Sequence, residues 1–138
     1  DKAIAEFDKI VGDLLYGPMH YPLTNLGWAY FNKRQYDTAI RYYKEALDLV
    51  PDFFIALRGL GRTYMETGKP QQALSYFEKA ATNYPNVPLI HNDLAIAYTR
   101  LGRKTDAAAA YRKVIDLAPD SDIAKSAAQG LKALKIKN

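Results

Sequence analysis

The chain has 138 residues, 25% of them charged and 49% hydrophobic, a balance that suits a folded domain and excludes a disordered one. It contains no cysteine, which rules out disulfides, thiolate catalysis and cysteine metal sites. No apolar run approaches the roughly 18–20 residues that span a bilayer, so the chain is not transmembrane. Most of the formal charge of +4 sits at the end, where Lys125, Lys132, Lys135 and Lys137 oppose Asp122 alone; residues 1–120 carry only +1. That near-neutral balance argues against a nucleic-acid groove, because phosphate contacts need an excess of lysine and arginine.

Residues 1–16 read as a helix, with Ile4, Phe7, Ile10, Val11, Leu14 and Leu15 at helical spacing. The Gly17-Pro18 step breaks it. The next helix is expected at about Pro22–Lys33, with its proline tolerated in the first turn. Its partner, Tyr36–Leu49, stops before Pro51. Phe54–Thr67 and Pro70–Asn83 follow, with Gly68 between them as a left-handed C-terminal stop. Pro88–Leu101 and Lys104–Leu117 repeat the plan, with Gly102 at the turn. A last amphipathic helix, Asp122–Lys137, gathers Ile123, Ala127, Leu131 and Leu134 on one side, with Asp120 or Ser121 available as N-cap.

These helices are three copies of one 34-residue pattern. Leu26-Gly27-x-x-Tyr30 with Ala39, Tyr43, Ala46 and Pro51 returns as Leu60-Gly61-x-x-Tyr64 with Ala73, Phe77, Ala80 and Pro85. It returns again as Leu94-Ala95-x-x-Tyr98 with Ala107, Tyr111, Val114 and Pro119. The repeats run over 20–53, 54–87 and 88–121, and residues 122–138 form a C-terminal capping helix. With a loop at Tyr16-Gly17-Pro18-Met19 about two residues longer than the later turns, Ala3 and Phe7 stand as Ala39 and Tyr43 do. Residues 1–19 are therefore expected to be the second helix and loop of an upstream repeat. The chain opens at Asp1 rather than Met, which fits a leader or upstream region ahead of it and a longer parent array. Gly27, Gly61 and Ala95 are expected where the paired helix comes close, facing the small residues Ala39, Ala73 and Ala107. Tyr30, Tyr64, Tyr98, Tyr43, Phe77 and Tyr111 fill the wider parts.

No catalytic constellation emerges. His20 and His91 have no partner at metal-ligand spacing, and His91 stands where Leu23 and Leu57 stand in the earlier repeats, so a packed, half-buried histidine is expected. Ser75, Ser121 and Ser126 lie in no nucleophile elbow. Gly59 and Gly61 fall inside a helix and form no phosphate-cradling loop. No enzyme, cofactor or metal is expected.

The Leu-Gly-x-x-Tyr, Ala, aromatic and Pro positions resemble the tetratricopeptide repeat family, over about three quarters of the chain. The resemblance implies an all-α right-handed superhelix of antiparallel helix pairs, about eight helices in all, that serves as a protein–protein interaction scaffold. It implies a concave groove lined by the first helix of each repeat. At the 34-residue period the groove sets are Tyr21, Ile55 and Leu89; Thr24, Arg58 and Asn92; Asn25, Gly59 and Asp93; Trp28, Arg62 and Ile96; Phe31, Met65 and Thr99; Asn32, Glu66 and Arg100. These positions differ between copies while the core positions repeat. Trp28, the only tryptophan, and the Arg58–Arg62 pair, one turn apart, are residue types that dominate binding. They fit a peptide with an apolar anchor and an acidic group held by a guanidinium fork. Glu66, i+4 from Arg62, is placed to neutralise it. The carboxylate clamp of chaperone-binding members is not matched: its sites hold Thr24, Trp28, Gly59, Leu89 and Asp93. The spelling Asn25-Leu26-Gly27-Trp28-Ala29-Tyr30 resembles bacterial or archaeal members, including the lipoproteins that assist type IV pilus assembly; a bacterial cytoplasmic or periplasmic place, with a membrane tether upstream, would fit them. Two other readings stand beside the scaffold: single-stranded nucleic-acid binding through the same aromatics and arginines, and homo-oligomer formation through the N-terminal half repeat.

Overall fold

The computed structural model describes residues 2–4 and 19–135. Residues 2–4 are helical and Ile4 rests against the core. The rest of the expected 1–16 helix, and with it most of the half repeat, lies outside the described residues. Seven helices follow: α1 (His20–Asn32), α2 (Tyr36–Leu49), α3 (Phe54–Glu66), α4 (Pro70–Asn83), α5 (Pro88–Arg100), α6 (Lys104–Leu117) and α7 (Asp122–Ala133). The spans of α2, α4 and α6 are those the sequence predicts. Helix α1 starts earlier, at His20, and carries Pro22 within its first turn. Helix α7 is shorter than expected. Leu134, buried against the core, is its C-cap, and Lys135 turns left-handed at φ 53°. Its N-cap is Ser121, whose Oγ accepts from the Ala124 N–H at 3.1 Å.

Each helix packs on the next, and the first helix of each pair also touches the first helix of the following pair: α1 on α3, α3 on α5, α5 on α7. The second helices α2, α4 and α6 make no such contact with one another. First helices are therefore crowded together on the inner side of the array, and second helices fan outwards. This difference gives the array a concave face made of α1, α3 and α5.

The glycines in the inner helices face aromatic rings, which corrects the expectation of small against small. A Cβ on Gly27 would lie 2.7 Å from the Tyr43 ring, and one on Gly61 would overlap Phe77. Ring against bare backbone is the closest way to pack a large group between two helices, and it fills the interface without a void. Ala39, Ala73 and Ala107 are fully buried beside these rings. Tyr30 and Tyr64 form a second aromatic layer, stacked on Tyr42 and Tyr76 at 5.6 and 5.7 Å. In the third repeat Ala110 stands in the place of that stacking partner. Tyr98 is half-buried there, with the Arg103 guanidinium 4.7 Å from its ring centroid.

The turn inside each repeat has one left-handed residue, at the same register: Arg34 (φ 62°), Gly68 (φ 74°) and Gly102 (φ 76°). Arg34 N–H donates to Phe31 O and Gln35 N–H to Tyr30 O, as Gly68 does to Met65 O and Lys69 to Tyr64 O one period later. The turn is thus the same C-terminal motif, with a side chain where the other copies have none. Arg34→Gly should relieve the left-handed strain and raise stability by about 0.5–1 kcal/mol, net of the greater freedom of glycine in the unfolded chain. Urea denaturation of the variant checks this, and an unchanged or lower midpoint would refute it.

Candidate functional site

Among the described residues, five large apolar side chains remain exposed, and four of them are on the inner helices: Tyr21, Trp28, Ile55 and Ile96. Trp28, Ile55, Thr24, Asn25, Arg58, Arg62 and Leu89 come together around one cavity of about 410 Å³. Three further residues line it: Phe54, Gly59 and Tyr43. A second cavity of about 150 Å³ follows along the same face, lined by Arg62, Met65, Glu66, Phe77, Asp93, Ile96 and Arg100. Arg62 is the wall between the two.

Not every predicted groove residue presents its side chain. Thr24 is buried, and its Oγ1 donates to Tyr21 O at 2.9 Å within the helix. Met65 is buried too. Tyr21 packs edge-on against Phe53, at 5.2 Å, and lines neither cavity. Asn92 is half-buried and also lies outside both. Phe31 stacks on Trp28 with centroids 5.9 Å apart and planes 10° from parallel. Of the histidines, His20 is buried against Tyr21 and Phe53 with Nδ1 lacking a hydrogen bond, and His91 is half-buried, donating from Nε2 to Pro85 O at 2.7 Å.

The two arginines on α3 point in opposite directions along the array. Arg58 reaches forward to α5, where its Nε donates to Asp93 Oδ2 at 2.5 Å and Nη2 to Oδ1 at 3.4 Å. Arg62 reaches back to α1. Its guanidinium carbon lies 5.6 Å from the Trp28 ring centroid and 5.3 Å from that of Phe31. The expected Arg62–Glu66 pairing is not formed. Among the described residues the ion pairs are Arg58–Asp93 and Arg103–Asp106, and Glu66 is exposed. Two stacked rings offered Arg62 a broader surface than one exposed carboxylate. Arg100 also crosses between helices, donating from Nη1 to Met65 O at 3.0 Å.

Burial pushes the Asp93 carboxyl above its ordinary value, while the Arg58 hydrogen bond and charge, then the Arg62 charge, pull the other way. Desolvation therefore outweighs the pairing, as it does for many buried ion pairs. Removing only Arg58 would leave that carboxylate buried and unpartnered. Arg58→Ala should cost about 2–3 kcal/mol. Arg58→Met with Asp93→Leu should recover most of the loss. Denaturant melts of the single and double variants test this, and a loss that the second change does not recover would exclude the stranded-charge account.

Tyr43 was not predicted as a groove residue, since its period marks it as core. It is both. Its ring lies over Gly27 on α1 and Gly59 on α3, and the missing side chain at Gly59 leaves the ring showing in the floor of the cavity. The signal is Gly59, the extra glycine ahead of the repeated Leu60-Gly61. Burial pushes the Tyr43 phenol up to about 12 from 10.0, against the lowering charges of Arg62 and Arg58. With the folded value above the unfolded one, the stability gained from the neutral phenol is complete below pH 10 and is lost as pH rises towards about 12. The denaturation midpoint should fall across that window, and Tyr43→Phe should remove this part of the fall. An identical profile in the variant would exclude Tyr43 as its source.

Among the described residues no helix is long and apolar enough to cross a membrane, and no group of three metal-ligating side chains forms.

The tetratricopeptide repeat family model matches residues 24–88 and again 60–122. The chain belongs to the tetratricopeptide repeat family, and its helix pairs form the superhelix of that fold. No curated protein matches the sequence. Among solved structures, it is similar to the first such domain of Spaghetti (RPAP3) bound to an HSP90 peptide, at 22% identity and TM-score 0.77 over 83% of this chain and 89% of that one. PcrH from Pseudomonas aeruginosa matches at 21% and 0.79 over 85% and 92%, and PcrH is also known in complex with the chaperone binding region of PopD. The Sgt2 domain from Aspergillus fumigatus matches at 26% and 0.78 over 86% and 78%.

Proposed function

We propose that this chain is a non-catalytic interaction scaffold that takes a segment of a protein partner into the groove along α1, α3 and α5. One observation carries the reading. The exposed apolar side chains are concentrated on the inner helices, and Trp28 and Ile55 flank a cavity of about 410 Å³ whose lining has two arginines and no carboxylate. Concave, mostly apolar sites with a few placed polar groups are where ligands bind. A partner segment would set an apolar side chain between Trp28 and Ile55 and an acidic group on the arginine side. That Spaghetti holds an HSP90 peptide and PcrH a region of PopD supports the same use of the fold here.

The nucleic-acid reading is less well supported than the sequence allowed. Arg58 is neutralised by Asp93, so Arg62 is the one cation of the main cavity without an acidic partner among the described residues. A tracked phosphate backbone needs several.

Arg58 is a poor probe of binding, since replacing it disturbs the α3–α5 contact. Trp28 and Ile55 are both about half exposed, at 49% and 51%, so changing them spares the buried core and leaves Arg62 its contact with the Phe31 ring. Trp28→Ala with Ile55→Ser should keep the helical circular dichroism and weaken partner capture at least about tenfold. A pull-down with mass spectrometry, comparing the native chain and this variant, makes the test. An identical partner set at identical yield would refute the groove as the binding surface.

A further inference from the structure

Arg58 and Arg62 stand one helical turn apart, and their surroundings give them different tasks. Arg58 has its donor edge on Asp93, which is itself buried. Its role is to tie α3 to α5. Arg62 makes no hydrogen bond or ion pair among the described residues, and its contacts are with the Trp28 and Phe31 rings. A guanidinium lying over aromatic faces keeps its N–H donors, which all lie in the guanidinium plane. Arg62 is thus fixed in place with its hydrogen-bonding capacity unused, at the wall shared by both cavities.

We infer that Arg62 is the specificity residue of the groove: it reads one carboxylate of the partner segment, set next to the apolar side chain that enters beside Trp28. The inference rests on the groove reading above. Three features support it. The aromatic shelf restricts Arg62 before the ligand arrives, so less rotamer freedom is lost on binding. Its planar fork matches a carboxylate with two parallel bonds. The charge around it is uneven: the main cavity has no acid in its lining, whereas the smaller one beyond Arg62 has Glu66 and Asp93 together with Arg100. A partner acid is therefore favoured on the Trp28 side, where no carboxylate competes for Arg62. The recognised element is an acidic residue adjacent to a bulky apolar one, not an acidic run. Because Trp28 is the only tryptophan, its fluorescence reports on the anchor directly.

The test is a selection from a random peptide library displayed on phage, made in parallel on the native chain, on Arg62→Gln, and on Trp28→Ala with Ile55→Ser as background. The native chain should enrich peptides with Asp or Glu beside an apolar residue, and Arg62→Gln should keep the apolar preference while losing the acidic one. For an enriched peptide, changing its acid to the amide should weaken binding to the native chain about tenfold by Trp28 fluorescence. Arg62→Gln should show the same loss and no longer tell acid from amide. Enrichment without an acidic bias, or a bias that survives Arg62→Gln, overturns this inference and leaves the groove reading intact. No enrichment over the Trp28/Ile55 background overturns both. Displacement of the enriched peptide by a single-stranded oligonucleotide of mixed sequence would replace the carboxylate with phosphate and also overturn it.

Discussion

The Tyr43 ring rests against two glycines on two different helices, Gly27 on α1 and Gly59 on α3, with no room for a Cβ on either. A ring held this way fixes the separation of three helices together, because α2, which carries it, must sit at one distance from both neighbours. Phe77 repeats the contact on Gly61, and Tyr111 does so on Gly130 of α7, where a Cβ would lie 2.5 Å from the ring. Overpacking at such positions costs on the order of 1–3 kcal/mol, so the spacing tolerates little change. The same contact shapes the groove. Where α3 lacks a side chain at Gly59, the cavity extends down to the Tyr43 ring, and a core residue becomes its floor.

An array of helix pairs has no closed core, so its stability rests on the interfaces between neighbours. On the inner face of this chain each such interface between described repeats has an arginine across it. Arg62 joins α3 to α1 through aromatic rings, Arg58 joins α3 to α5 through Asp93, and Arg100 joins α5 back to a carbonyl at the end of α3. That carbonyl lies in the last turn of α3 and also accepts from the Gly68 N–H, so Arg100 is its second donor. The polar groups that line the groove are thus also the braces that set its curvature. Only Arg62 braces through aromatic rings alone, without a hydrogen bond or ion pair among the described residues.

The 34-residue period, the prolines that open α4 and α5, and the glycines at Gly68 and Gly102 let the sequence alone determine which segments are helical and where the turns lie. Those features are local or periodic: capping, turn conformation and apolar spacing act within a few residues, and repetition carries them along the chain. The family resemblance, read along that period, put α1, α3 and α5 on the inner face and singled out Trp28, Ile55, Arg58, Arg62 and Leu89, which the fold gathers around one cavity. Tertiary structure decided what each of them does there. Arg58 and Asp93 are separated by 35 residues in sequence, and Arg62 meets rings one repeat away rather than Glu66 on its own helix. Thr24 and Met65 share the groove register yet are buried, and Tyr43 shares the core register yet shows in the groove. Spacing along one helix fixes a face; the partner a side chain finds depends on how far the next helix stands, and that distance is set by aromatic rings packed on glycine.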